Sequence, residues 1–162
     1  MSGPATVARD AITAWLEGRT YAPPALGESR PVFVSLHDAD GELRGCVGHL
    51  VRTRDTLGDE IAATAVLAAC EDPRFPPLRA DELATLRVEV SVLGIPEPVD
   101  RDGLDPRRYG IVVRSGARRG VLLPDLDGVD TVGQQVDIAC RKAGIRDGDA
   151  LVIERFLVEK HR

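Results

Sequence analysis

Cys46 stands between two glycines, in Leu43-Arg44-Gly45-Cys46-Val47-Gly48-His49-Leu50, and is the residue with the clearest capacity for chemistry. A thiolate is a strong nucleophile, and a cation or titratable ring on its face favours that form. Arg44 and His49 bring such groups within a few residues, and His37 lies across a short turn. On this reading Cys46 is the nucleophile and His37 or His49 takes its proton. The amides of Gly45 and Gly48 then hold an oxyanion. The competing reading is a half-buried thiol filling a strand position, with the glycines serving a bulge or close backbone packing.

The elements that must position Cys46 are two strands. Val32-Phe33-Val34-Ser35-Leu36-His37 alternates apolar and polar residues, and Asp38-Ala39-Asp40-Gly41-Glu42 is a turn signal, so the cysteine falls on the second strand of a β-hairpin. Two registers fit this turn. With Asp38 opposite Leu43, His37 opposes Arg44 and Ser35 opposes Cys46; with Asp38 opposite Glu42, Val34 opposes Cys46. Only the first gathers polar side chains.

Arg74 lies in a proline-flanked loop beside Phe75, and Arg118 and Arg119 belong to a second hairpin. If these arginines and Arg44 converge, they form an anion-binding cluster suited to a carboxylate or phosphate. Taken singly, each arginine is equally readable as a solvated partner for the surplus of acids. Glu89 falls on the polar side of its strand, where it could line the same cleft as a general acid or base. Three histidines and three cysteines yield no pair with metal-ligand spacing, so no metal and no cofactor is expected. Cys70 and Cys140 fall on apolar helical faces and read as core.

Along the chain, Val7, Ala8, Ala11, Ile12, Trp15 and Leu16 mark a first helix ending at Gly18. A second helix, capped by Thr53 or Asp55, carries Leu57, Ile61, Ala65 and Ala68 and is apolar over most of its circumference; Asp72-Pro73 ends it. Then come a short helical turn near residues 81–86, a strand over 87–93, a Pro96/Pro98 connector and a hairpin over 109–123. Thr131 and Gln134 form a capping box for a third helix ended by Gly144, and 151–158 reads as one central strand, apolar on both faces. This order argues for an α+β fold in one domain over 1–162: a mixed, largely antiparallel sheet with helices packed on it, with two lobes flanking a cleft as one arrangement. A hairpin containing Arg-Gly precedes a cysteine-ended helix twice, which suggests a degenerate duplication of about 32–70 and 109–140. Hairpin-then-helix is also a common unit in its own right.

Five blocks, in order, resemble one known family: Leu-Arg-Gly-Cys-Val-Gly from Leu43, Asp-Pro-Arg-Phe-Pro-Pro-Leu from Asp72, Val-Glu-Val-Ser-Val-Leu from Val88, Arg-Gly-Val-Leu-Leu-Pro from Arg119, and Cys-Arg-Lys-Ala-Gly from Cys140. They are similar to the signature blocks of the AmmeMemoRadiSam system protein A family, the domain named for the AMME syndrome candidate protein. The resemblance implies a site around the Arg-Gly-Cys block and association with a Memo-like protein and a radical S-adenosylmethionine protein. It implies no particular reaction. Three functions therefore stand side by side: a cofactor-free component acting with those partners in modification or redox chemistry, a non-catalytic adaptor module, and a Cys46-dependent enzyme on a small anionic substrate.

With 21 Lys plus Arg against 26 Asp plus Glu, the net charge of -5 does not favour nucleic acid or an anionic membrane. The N-terminus shows no basic segment followed by an apolar core, and an odd number of widely spaced cysteines suits reduced thiols, so a cytoplasmic protein is expected.

Overall fold

Proline at its first position and an apolar stripe place helix α1 over Pro4–Leu16, with Val7, Ala8, Ala11, Ile12 and Ala14 buried. Gly18, at φ 67°, turns the chain out of it. Helix α2 covers Leu57–Cys70. Its cap is Thr56, whose hydroxyl accepts the Asp59 amide. The expected caps Thr53 and Asp55 are displaced because Thr53 gives both its amide and its hydroxyl to Glu60. Helix α3 covers Val132–Ala143 with the Thr131/Gln134 capping box in place and Gly144 left-handed at its end. The strands are β1 (Val32–His37), β2 (Leu43–Gly48), β3 (Arg87–Leu93), β4 (Glu97–Pro98), β5 (Gly110–Ser115), β6 (Arg118–Leu122), β7 (Val152–Phe156) and β8 (Val158–His161). A 3-10 turn over Ala80–Thr85 precedes β3.

The computed structural model describes residues 2–162 and divides them into two compact units, residues 2–92 with Glu159–Arg162, and Leu93–Val158. The fold class is α+β as expected, and the strands are shared between two four-stranded sheets, β2-β1-β3-β8 and β4-β7-β5-β6. The pairings β1–β2, β1–β3, β4–β7, β5–β6 and β5–β7 are all antiparallel. The run expected as one central strand over 151–158 is two strands: β7 is internal to the second sheet, and after Leu157 the chain continues as β8 at the edge of the first. Its apolar residues on both faces serve two sheets in succession. The proline connector also contributes a strand, because Glu97 and Pro98 pair with Arg155 and Glu154.

In the first unit Val32, Val34 and Leu36 of β1 and Val88, Val90 and Val92 of β3 form a core with Val7, Ile12, Ile61, Ala65 and Ala68 from the helices. The alternation leaves Phe33, Ser35 and His37 of β1, with Glu89 and Ser91 of β3, on the opposite face. In the second unit Ile111, Val113, Leu122, Val136 and Ala139 play the core role.

Each hairpin meets its helix through the glycine of an Arg-Gly pair. A Cβ on Gly45 would lie 2.3 Å from the Ala68 carbonyl oxygen of α2, and one on Gly120 would lie 2.3 Å from the Ala139 carbonyl oxygen of α3. Neither oxygen can yield without moving its helix. Gly45→Ala is therefore expected to destabilise the protein by about 2–3 kcal/mol in urea denaturation. Gly133→Ala, in a helix where the new Cβ would meet only Thr131 Oγ1 at an ordinary 3.9 Å, is the contrast and should be neutral or stabilising by up to about 1 kcal/mol. Equal effects at the two positions would contradict the packing argument.

Candidate functional site

The hairpin satisfies both registers, one at each end. Ser35 pairs with Cys46 and Leu36 with Gly45, but His37 pairs with Leu43, so the register shifts by one between Leu36 and His37. The Asp38 amide donates to Glu42 O at the turn. Arg44 is the residue left over, a β-bulge that re-aims its side chain. Of the two alternatives, Ser35 faces Cys46 as in the first, but the pairing of His37 with Arg44 that would accompany it does not form. The guanidinium of Arg44 instead reaches Glu82 with Nε at 2.8 Å and Nη2 at 3.1 Å, and Nη2 also donates to Pro77 O. That hydrogen-bonded pair holds the Glu82 carboxyl below its ordinary range. Arg44 thus braces β2 against the turn before β3, with its charge already matched.

Cys46 lies on the outer face of the first sheet. Its Sγ is 3.4 Å from Ser35 Oγ, and Ser35 in turn pairs with Glu89 on β3, so Cys46, Ser35 and Glu89 form one row across three strands. Glu89 accepts from Arg162 Nε at 2.9 Å.

Below Cys46 stands a buried carboxylate, Asp72, whose expected part was only to end α2 together with Pro73. Asp72 Oδ2 accepts the Cys46 amide at 3.0 Å and Arg74 Nη2 at 2.8 Å, while Oδ1 accepts the Arg74 amide and Nε, both at 3.0 Å. The hydrogen bonds from Arg74 hold the Asp72 carboxyl well below the usual carboxylate range, and the Cys46 amide adds to the effect. The same pairing raises the Arg74 pKa, with a smaller contribution from Cys46 itself. Arg74 is anchored at its base yet 57% exposed, and it lies over the Phe75 ring at 5.5 Å. One carboxylate oxygen thus ties the strand backbone at the thiol to an exposed guanidinium. Asp-x-Arg closing an Asx turn on itself is the local pattern that could have flagged this clamp.

The remaining candidates are placed elsewhere. Among the described residues the Cys46 sulfur has its hydrogen-bond partner in Ser35 and none in a histidine. His49 follows β2 and donates its amide to Val32 O, with Nδ1 buried and unpartnered. His37 pairs with Arg87 at the end of the β1–β3 ladder. Gly45 admits the α2 backbone, and a Cβ on Gly48 would overlap the Phe33 ring at 2.2 Å, so both glycines have packing reasons to be glycine. Arg119 is exposed on β6 of the second unit, opposite Arg114, and Arg118 donates to Gly144 O. Cys70 donates to Val66 O, and burial raises its thiol pKa, as it does for Cys140, which packs against the second core. No group of three or more His, Cys, Asp and Glu among the described residues could hold a metal ion.

Comparison with known proteins places the geometry in a family. The AMMECR1 family profile matches residues 5–161. A protein of Thermotoga maritima is 52% identical over 132 residues, covering 80% of this chain and 76% of that protein. One of Clostridium acetobutylicum is 43% identical over 133 residues, 82% of this chain but only 28% of its own length. The crystal structure of the uncharacterized protein PH0010 from Pyrococcus horikoshii superposes with a TM-score of 0.83 at 30% identity, covering 97% of this chain and 88% of that one. With the signature blocks, the fold and these relatives in agreement, the chain belongs to the AMMECR1 family.

Proposed function

We propose that the chain carries a thiol site at which the Cys46 sulfur forms an S–C bond to the acyl or alkyl carbon of a small anionic ligand while that carbon's leaving group departs with the thiol proton, Arg74 receiving the ligand's negative charge. The observation that carries this reading is the Asp72 clamp, which fixes the Cys46 backbone and aims an exposed guanidinium from the same oxygen. Ser35 Oγ, 3.4 Å from the sulfur, is within hydrogen-bond reach and can donate to it. All three cysteines are free, a state that a reducing compartment such as the cytoplasm maintains. No helix is long and apolar enough to cross a membrane.

A second reading is favoured by the Clostridium relative, of which this chain spans barely more than a quarter. The domain would then serve as an adaptor module within a larger assembly, a Memo-like and a radical S-adenosylmethionine protein being the partners implied by family.

Paired alkylation separates the two readings. Iodoacetate and iodoacetamide each form an S–C bond at the thiolate as iodide leaves, and they differ in charge. Cys46 is expected to react faster than Cys70 and Cys140 and to favour iodoacetate relative to a small free thiol; Arg74→Gln should abolish that preference. If Cys46 is as slow as the other two cysteines in the folded protein, the thiol mechanism is withdrawn and the adaptor reading takes its place.

A further inference from the structure

A separate cavity of 560 Å³ opens in the first unit at the end of the sheet where β3 begins. Its polar lining is cationic although the chain is acidic: Arg9, Arg87 and Arg162 face one carboxylate, Glu89, with His37 beside Arg87. Arg162 is matched by Glu89. Arg9 donates to Leu83 O and Leu86 O, which fixes the guanidinium without neutralising it. Arg87 is exposed and has no carboxylate partner among the described residues. Two positive charges are therefore left over.

The start of α1 adds to the same field. Ala5 and Thr6 line the cavity as the second and third residues of the helix, where backbone amides lack intrahelical acceptors. Gly3 supplies no side-chain cap, and the first turn holds no acid. A negative group there is stabilised by the helix dipole and by those amides. Leu86 and Val88, whose side chains are mostly buried in the first core, border the cavity and supply its aliphatic lining.

We infer that this cavity is a binding site for a small organic oxyanion, with a phosphate or carboxylate head on Arg87, Arg9 and the α1 amides and an aliphatic body on Leu86 and Val88. The cavity shares Glu89 with the row that carries Cys46 but does not include the thiol, and it does not depend on the thiol reading.

The test is calorimetric titration of the full chain with hexyl phosphate, hexanoate and hexanol. Saturable binding of at least one anion with a dissociation constant of about 1 mM or below is expected, with hexanol much weaker. Whichever anion binds tighter identifies the head group. Arg87→Gln should weaken binding about fivefold, since an exposed residue with no partner is removed without disturbing the fold. Thr6→Asp should weaken it about tenfold while leaving the melting temperature unchanged or raised, because the new carboxylate suits the helix and repels the ligand. Cys46→Ser should bind as the parent does. Absence of saturable binding at millimolar anion, equal binding of hexanol, or unaltered affinity in both Arg87→Gln and Thr6→Asp would overturn the inference.

Discussion

Glu60→Ala is expected to destabilise the protein by about 3–5 kcal/mol, more than any other single truncation on the first unit's polar side. Glu60 is fully buried at the start of α2. Its carboxylate accepts four hydrogen bonds: from Ser29 Oγ at 3.1 Å, Thr53 N at 2.7 Å, Thr53 Oγ1 at 2.8 Å and Arg54 N at 2.7 Å. It thereby fastens the loops before β1 and before α2 to one helix turn. Alanine leaves those donors without an acceptor and opens space around them. Glu60→Gln keeps the volume but sets an amide NH2 against donors, so it should cost about 2–3 kcal/mol, and Ser29→Ala, which removes one donor of four, about 1 kcal/mol. The order in urea denaturation is Ala worse than Gln worse than Ser29→Ala. In the Glu60→Ala background the Ser29 substitution should lose its effect. A Glu60→Ala variant within about 1 kcal/mol of the parent would show that water replaces the carboxylate at no great cost.

Glu60 also shows where sequence reasoning stops. The apolar period of α2 was legible from Leu57, Ile61, Ala65 and Ala68, and so was burial on both sides, since the helix contacts α1 as well as β1 and β2. Burial on both sides leaves no solvent face for an acid in the first turns, and an acid there must find donors. Which donors is a tertiary fact: Ser29 and Thr53 come from loops whose only local signal is their proline, glycine and polar content. Other features rest on local chemistry and read directly. Thr131 and Gln134 cap α3, Gly144 ends it, and the valines of β3 alternate into the core. The bulge at Arg44 is intermediate. The turn permitted two registers, and the fold takes both by leaving one residue out of the ladder, a solution that periodicity with a fixed step of two cannot express. The arginines were harder still. Arg44, Arg74 and Arg119 carry the same charge in sequence, and only their partners separate a matched brace from an exposed, anchored guanidinium and a residue of the other unit.

The second large effect is expected at Asp72, where stability and the thiol site meet. Asp72→Asn keeps one acceptor oxygen and loses the charge that Arg74 and the Cys46 amide share. The cost at neutral pH should be about 2–3 kcal/mol, the range for a buried carboxylate whose donors keep partial bonding. Its pH dependence has a definite sign. The folded Asp72 carboxyl is depressed well below the value of about 3.9 for an unfolded aspartate, so its stabilisation is fully present above that value and is lost as pH falls towards the folded one. The stability gap between parent and Asp72→Asn should accordingly be flat from about pH 5 to pH 8 and close steadily below about pH 4. A gap that persists unchanged into acid would mean that the carboxylate's shape, not its charge, holds the loop. The same variant reports on the site, because without the clamp Arg74 is free to swing into solvent. The iodoacetate preference of Cys46 should then fall to the level seen in Arg74→Gln, although Arg74 itself is still present. Loss of stability with the preference intact would separate the two roles, leaving Asp72 as a fastening of β2 and assigning the anion selectivity to Arg74 alone.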